Sequence, residues 1–359
     1  MKLIQFLKST VLVFLSTITF IKLIFLKNKT GLFFILNENE NSIIDRRSKV
    51  YLDKININNS VNFVRSQGFI LSLRAYFKYK NIIFYNHIFN LYEALGIVFK
   101  LKRVKILRLF QITIAGLIKK ILIKNFHTID DYRNIQMLSN ICVLSEVDLY
   151  IYQHGRISKS LNYQNKLANL KFHTFFLWSN FFKKKLIEFN KEYNSKNLVI
   201  KRKFNQKIKL KKKVNKIKKV IFIHEDNIQL VKIKKIIKKL IIKKEYLVYF
   251  KFRPNNKLDD KIIYYLKQNN IKFFHRENIY ELFKKFKFDI LIAFNSSLLL
   301  ECSFFNIFPV MIYEKNSILK DYIYEKVIFH TKIDNLNKFL KSVLKKKNML
   351  RRIKKKIWN

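Results

Sequence analysis

The chain has 359 residues, 49% hydrophobic and 15% aromatic, which is enough apolar surface for a core and too much for intrinsic disorder. Its 73 Lys and Arg against 24 Asp and Glu give a formal charge of +49; five Gly and two Pro against 35 Phe point to A/T-rich coding as one source of it, and an anionic partner is the other reading. Cys142 and Cys302 stand far apart in apolar runs with no Cys/His cluster, which argues against a disulfide framework or zinc site and fits a reducing cytoplasm.

Residues 3–26 are mostly apolar, but Lys8 and Lys22 leave only 9–21 free of charge. There is no small-residue cleavage site after them, so a secretory signal is not expected. Gln5, Lys8, Ser9, Ser16, Thr19 and Lys22 fall on one side at helical spacing, although Leu12 and Leu15 intrude. Three readings stand: an interfacial helix, a helix packed on the protein, and a true span.

From 30 to 200 short apolar runs mix with helical stretches. Gly31–Leu36, Asn81–Tyr85 and Leu149–Gln153 read as buried strands, and 91–125 and 179–191 as helices. Residues 201–219 are nearly a charge run and read as a basic linker. Beyond it strands and helices alternate strictly. Strands are expected at Val220–His224, Tyr246–Phe252, Ile271–His275, Asp289–Phe294 and Pro309–Tyr313. Helices are expected at Asn227–Lys244, 258–268, 278–286 and 297–305, with a basic C-terminal helix over 341–359. Such alternation means βαβ units and a parallel doubly wound sheet, whose ligands sit at the carboxyl ends of the strands.

Three strand ends carry candidate chemistry. Asn295-Ser296-Ser297 opens a helix, where hydroxyls and free N–H groups either cap the helix or hold a phosphate. Glu301, one turn on, is either a ribose ligand or a surface charge. Arg253, before Pro254, can fork onto a phosphate. His154 follows a strand and precedes Gly155 and Arg156, and its imidazole suits proton transfer near neutral pH. His87, after the 81–85 strand, is a weaker substrate-site candidate, and His224, Glu225 and Asp226 end another strand. No DxD occurs to chelate a nucleotide-bound metal, so no metal and no cofactor are expected.

The stretch 278–313, NIYELFKKFKFDILIAFNSSLLLECSFFNIFPVMIY, resembles the donor-domain segment of GT-B glycosyltransferases. It is nearer to capsule and lipopolysaccharide enzymes, bacterial sialyltransferases and polysialyltransferases among them, and the teichoic-acid glycerophosphotransferases are similar. The resemblance covers roughly 145–315. It implies two Rossmann-like α/β domains facing across a cleft: an acceptor domain at 30–200 and a nucleotide-donor domain at 220–340. Ser296 and Ser297 match a phosphate-binding Ser-Ser motif. Arg253-Pro254 stands where the family has His-Pro, which implies charge neutralisation by Arg253. His154-Gly155 stands at an acid-Gly position and resembles the His-Gly of the glycerophosphotransferases.

The resulting expectation is a metal-independent transferase using a nucleotide-sugar donor, CMP- or UDP-type left open, on a glycan or lipid-linked glycan acceptor. The enzyme would be cytoplasmic and peripheral on the inner face of the plasma membrane, at an anionic surface, with no nucleic acid partner. Transfer of a polyol phosphate from a CDP-alcohol is the enzymatic alternative. A non-catalytic basic protein binding membrane or nucleic acid is the alternative of another class.

Overall fold

The computed structural model describes residues 2–25, 29–35, 60–65, 68–129, 135–155, 157, 170–189, 191, 193, 197–202, 204, 217–225, 228–242, 245–253, 258–314 and 317–358. They form two compact units: Ile157, Trp178–Phe189 and the described residues from Arg202 on make up the second, and the other described residues the first.

The first unit is a seven-stranded sheet in which every neighbouring pair is parallel. Its strands are β1 (Lys29–Ile35), β2 (Val61–Arg65), β3 (Ile82–Phe84), β4 (Ile123–Ile129), β5 (Asp148–Tyr152), β6 (Thr174–Leu177) and β7 (Leu198–Ile200), ordered β3-β2-β1-β4-β5-β6-β7. With them come α1 (Lys2–Ile24), α2 (Phe69–Lys78), α3 (Tyr85–Val98), α4 (Arg103–Lys120) and α5 (Ile135–Ser145). The second unit has α6 (Asn180–Phe189), β8 (Lys218–Ile223), α7 (Leu230–Ile241), β9 (Tyr246–Lys251), α8 (Asp260–Gln268) and β10 (Lys272–Phe274). It continues through α9 (Ile279–Phe286), β11 (Ile290–Ala293), α10 (Leu298–Glu301), β12 (Phe308–Ile312), α11 (Lys320–Tyr324), β13 (Phe329–Thr331), α12 (Leu336–Leu344) and α13 (Lys347–Trp358). Its six strands are again all parallel, ordered β10-β9-β8-β11-β12-β13. Each order is the doubly wound one, with a reversal between β1 and β4 and between β8 and β11.

Burial on both faces explains the strand composition. Every residue of β11 (ILIA) and β12 (FPVMI) is buried, as a parallel sheet covered on two sides requires. The helices between them are amphipathic: α7 buries Ile233, Ile236, Ile237 and Leu240 and turns its lysines out. Two helix starts are capped as their sequences dictate. The Asp259 carboxylate accepts the N–H of Lys261 at 2.9 Å, and the Asn278 side chain accepts that of Tyr280 at 2.9 Å.

The structure departs from the sequence reading in three places. The helix expected over 91–125 is two helices and a strand start, because Lys100 (φ 50°) and Leu122 (φ 54°) turn the chain through the left-handed region. Trp178–Phe189 belongs to the second unit, not to the acceptor domain, because α6 packs on α13: Trp178 stacks on Trp358 at 6.1 Å and Ser179 bonds the Ile357 carbonyl. The end of the expected linker is the start of β8, at Lys218, while residues 203 and 205–216 lie outside the described residues.

Helix ends throughout use residues other than glycine. Among the described residues Asn81, Lys100, Leu122, Glu146, Asn270, Lys287, Asn306 and Lys326 have positive φ, and no glycine does. Lys287 closes α9 at φ 52°, its N–H donating to the Phe283 carbonyl at 3.1 Å. A side chain there costs about 1–2 kcal/mol relative to glycine, partly offset by glycine's unfolded-state entropy. Lys287→Gly is therefore expected to raise stability by about 0.5–1 kcal/mol in urea unfolding. A fall in the midpoint would show that the lysine side chain itself holds that corner.

Candidate functional site

In the second unit the strand order reverses between β8 and β11, so the ends of these strands frame the crevice where an open α/β sheet takes its ligand. After β8 come His224 and Glu225. The Glu225 carboxylate, 9% exposed, accepts the backbone N–H of Phe294 at 2.9 Å and that of Asn295 at 2.8 Å. A buried acid thus fastens the turn after β11 to the end of β8. The sequence alone makes Glu225 no more than a reserve base. Its signal is position: it is the first acid after the first strand of a doubly wound unit.

This clamp presents the Ser-Ser turn. Asn295 is placed at the crevice, but its Oδ1 is used by the protein: it accepts from Ser317 Oγ at 2.7 Å and from the Ile318 N–H at 3.1 Å. Ser296 Oγ accepts the Leu298 N–H at 3.3 Å, as a cap does. Among the described residues nothing accepts from the backbone N–H of Ser296 or Ser297. Ser297 Oγ donates to Glu301 Oε1 at 3.1 Å, and the Tyr280 hydroxyl donates to Glu301 Oε2. Glu301 is 2% exposed. Both expectations for it, ribose ligand and surface charge, are thereby corrected: Ser297 reaches it across one helical turn and Tyr280 reaches it from α9, so its oxygens face inward. Arg253 is exposed, two residues beyond β9 on the same sheet edge. β9 lies two strands from β11, about 10 Å at ordinary strand spacing.

In the first unit β5 ends at Tyr152, followed by Gln153, His154 and Gly155. Gln153 is buried; its N–H donates to the Phe176 carbonyl at 2.9 Å and its Nε2 to the Gly155 carbonyl at 2.7 Å. His154 is half-buried at this edge. Gly155 has no positive φ, and a Cβ built on it meets nothing within 4 Å, so the protein's own packing does not require glycine there. Arg156 lies outside the described residues, as does Asp226. His87 is placed elsewhere than expected: its Nδ1 lies 3.1 Å from Ser9 Oγ of α1, and burial lowers its pKa, so it is a packing contact and not a substrate-facing group.

His127, read from sequence as structural, sits in β4 with its ring stacked on Tyr150 at 4.9 Å and its Nδ1 3.0 Å from the Tyr152 hydroxyl. Burial, and secondly Lys201, push its pKa from 6.5 down to about 4. Lys201 Nζ lies 4.6 Å over the Tyr152 ring and 4.7 Å over Phe176. Among the described residues no group of three His, Cys, Asp or Glu is arranged to hold a metal ion.

No family model and no curated protein sequence matches the chain. Solved structures do match it over almost its whole length. One is a putative UDP-N-acetylglucosamine 2-epimerase from Listeria monocytogenes, with a TM-score of 0.57 and 8% identity, covering 93% of this chain and 92% of that one. A lipopolysaccharide outer core galactosyltransferase, WaaB, matches at a TM-score of 0.51 and 8% identity over 92% and 96%. The HepE protein of Anabaena in complex with UDP-glucose matches at 0.51 and 9% over 92% and 95%. The chain has the GT-B fold. The GT-B pairing of two Rossmann-like domains accounts for the two parallel sheets with one strand order.

Glu225→Ala is expected to lower stability by about 2–4 kcal/mol, since two buried N–H groups lose a charged acceptor. An unchanged urea midpoint would show that the turn after β11 is held otherwise. His127 gives a pH test. Unfolded, its imidazole takes a proton below about pH 6.5; folded, it resists until about 4. Its contribution is complete above pH 6.5 and is lost as pH falls towards 4. The stability of the protein relative to His127→Phe should therefore drop by about 2–3 kcal/mol between pH 7.5 and 4.5. Parallel pH curves would place the ring in water.

Proposed function

We propose that the chain is a glycosyltransferase that moves a sugar from a nucleotide-sugar, UDP-linked, to a hydroxyl of a surface glycan. One observation carries this reading: the fold is GT-B over 92% of the chain, and the reversal point of its second sheet carries a clamped Ser-Ser turn with two N–H groups directed to no acceptor among the described residues. The galactosyltransferase match supports a surface-glycan acceptor, and the UDP-glucose complex supports a UDP donor.

In the proposed mechanism the diphosphate rests on the N–H groups of Ser296 and Ser297 with Arg253 beside it, so hydrogen bonds and a guanidinium, in place of a metal, stabilise the departing charge. His154 takes the proton of the acceptor hydroxyl. The acceptor oxygen bonds to the anomeric carbon, the bond from that carbon to the phosphate oxygen breaks, and UDP leaves with the electron pair. The open space beside Gly155 lets an acceptor approach the backbone next to His154. The expected setting is the cytoplasmic face of the plasma membrane.

The test is turnover with UDP-sugars, following UDP release and the sugar product. Activity is expected to persist in EDTA. His154→Ala should lower kcat by about 10²–10⁴-fold with UDP affinity nearly unchanged. Ser296→Ala with Ser297→Ala, which removes the hydroxyl contacts to the Leu298 N–H and to Glu301 that fix the turn presenting the two N–H groups, should weaken UDP binding first. Full activity of folded His154→Ala would remove it as the base. Loss of activity in EDTA that Mg²⁺ restores would replace the Arg253 reading. A 2-epimer released without acceptor would make the chain an epimerase on the same fold, and turnover of CDP-alcohols alone would make it a phosphotransferase.

A further inference from the structure

Helix α1 has the polarity of a surface helix reversed. The side against the domain carries Ser9, Leu12, Ser16, Thr19 and Leu23, all buried, at alternating steps of three and four. Its polar groups have partners there. Ser9 meets His87, Ser16 Oγ accepts the Phe84 N–H at 2.9 Å while donating to the Leu12 carbonyl at 2.8 Å, and Thr19 Oγ1 lies 3.5 Å from the Tyr76 hydroxyl. The opposite side is apolar and open: Leu7, Val11, Phe14, Ile18, Ile21 and, just past the helix, Phe25 are 44–80% exposed. The helical part of this stripe, from residue 7 to 21, runs for about 20 Å. Helix α2, packed beside α1, adds Ile70 and Phe77 at 66% and 81% exposure.

Three occupants compete for this stripe. The segment Phe6–Ile24 is long and apolar enough to cross a membrane. Crossing would strip Ser9, Ser16 and Thr19 of their partners and leave the Phe84 N–H without its acceptor. It would also have to pull away from β1, the strand beside the sheet's reversal, which starts at Lys29. A second copy would set Lys8, Lys22, Arg74 and Lys78, all exposed, against the same cations, with no acid anywhere in 1–35 or 60–92 to pair them. An anionic bilayer meets both features at once: headgroups pair the cations and the acyl boundary takes the stripe.

We propose that α1 is a monotopic membrane anchor, lying in the plane of an anionic phospholipid bilayer with Leu7, Val11, Phe14, Ile18, Ile21 and Phe25 in the lipid and its Ser/Thr side on the domain. It stands independently of the transferase reading and assigns which face of the first domain meets the membrane.

The test uses the full-length chain and extruded vesicles of phosphatidylcholine with or without phosphatidylglycerol. Co-sedimentation should favour the anionic vesicles and weaken in high salt. Phe14→Gln with Ile18→Gln and Ile21→Gln should reduce binding about tenfold or more and leave the melting temperature unchanged, because all three side chains are exposed. Ser16→Ala should instead lower the melting temperature. Cys142 and Cys302 are buried, so Phe14→Cys can be labelled alone with an environment-sensitive dye. The dye should shift to the blue on vesicles and be quenched more by spin labels near the headgroups than by those near the bilayer centre. Undiminished binding by the triple variant, or equal binding to neutral and anionic vesicles, overturns the proposal. Stronger quenching from the bilayer centre makes α1 a span. A dimer that the triple variant abolishes, with no vesicle binding by the unsubstituted chain, makes the stripe a self-association face.

Discussion

A carboxylate with too little water around it is the centre of the second domain. Glu225 ends one half of the sheet, and the N–H groups it accepts begin the turn that ends the other half. In a doubly wound sheet those two halves diverge, which opens the crevice and also leaves backbone donors facing into it. Glu225 Oε1 accepts both of them and Oε2 shares the second at 3.0 Å, and the charge makes these bonds stronger than those to a neutral acceptor. The turn is then fixed in the position from which Ser296 and Ser297 present their own N–H groups. Asn295 extends the same fixation to the loop after β12 through Ser317 and Ile318. Acid, turn and loop form one hydrogen-bonded frame, and the phosphate-binding reading depends on it.

The two ends of the chain show how one sequence signature has two outcomes. Both α1 and α13 mix apolar residues with Lys or Arg at helical spacing. In α13 the apolar side, Leu350, Ile353, Ile357 and Trp358, is buried, and Trp358 donates through Nε1 to Ser303 Oγ at 3.0 Å. The apolar side of that tail is already in a protein core. In α1 the hydroxyls of Ser9, Ser16 and Thr19 have partners in the domain beside the buried Leu12 and Leu23, and a stripe of hydrocarbon is left outside. α13 is far more basic than α1, and in each the location of hydrogen-bond partners decides which face turns in.

Legibility along the sequence has the same physical basis. From Val220 to Tyr313 every strand is visible, because short apolar runs alternate with strongly amphipathic helices capped by Asp259 and Asn278. Between 60 and 130 the pattern shows β3 but neither β2 nor β4. β2 reads VNFVR, with a buried Asn62 whose Nδ2 donates to the Lys80 carbonyl at 2.8 Å, a contact that only the folded chain supplies. β4 is hidden because Leu122, not glycine, takes the left-handed turn before it. A chain with five glycines has lost its usual helix stop signals, so each helix end merges in the sequence with the next element. At the site, position at strand ends draws attention to His154, Arg253 and Ser296. The inward use of Glu301 and the packing role of His87 depend on partners, Tyr280 and Ser9, that lie far away in sequence.

The docking of α1 also has a consequence in time. Ser16 waits for the N–H of Phe84, 68 residues further along the chain. At ordinary rates of synthesis that separation is roughly 3–14 s. Over that interval the helix has emerged with neither its hydroxyls nor its hydrocarbon matched by protein, since β3 does not yet exist. A bilayer near the ribosome is then the first surface that can take the apolar side. The nascent domain would assemble against a helix already oriented at the membrane, its polar side left facing the strand still to come.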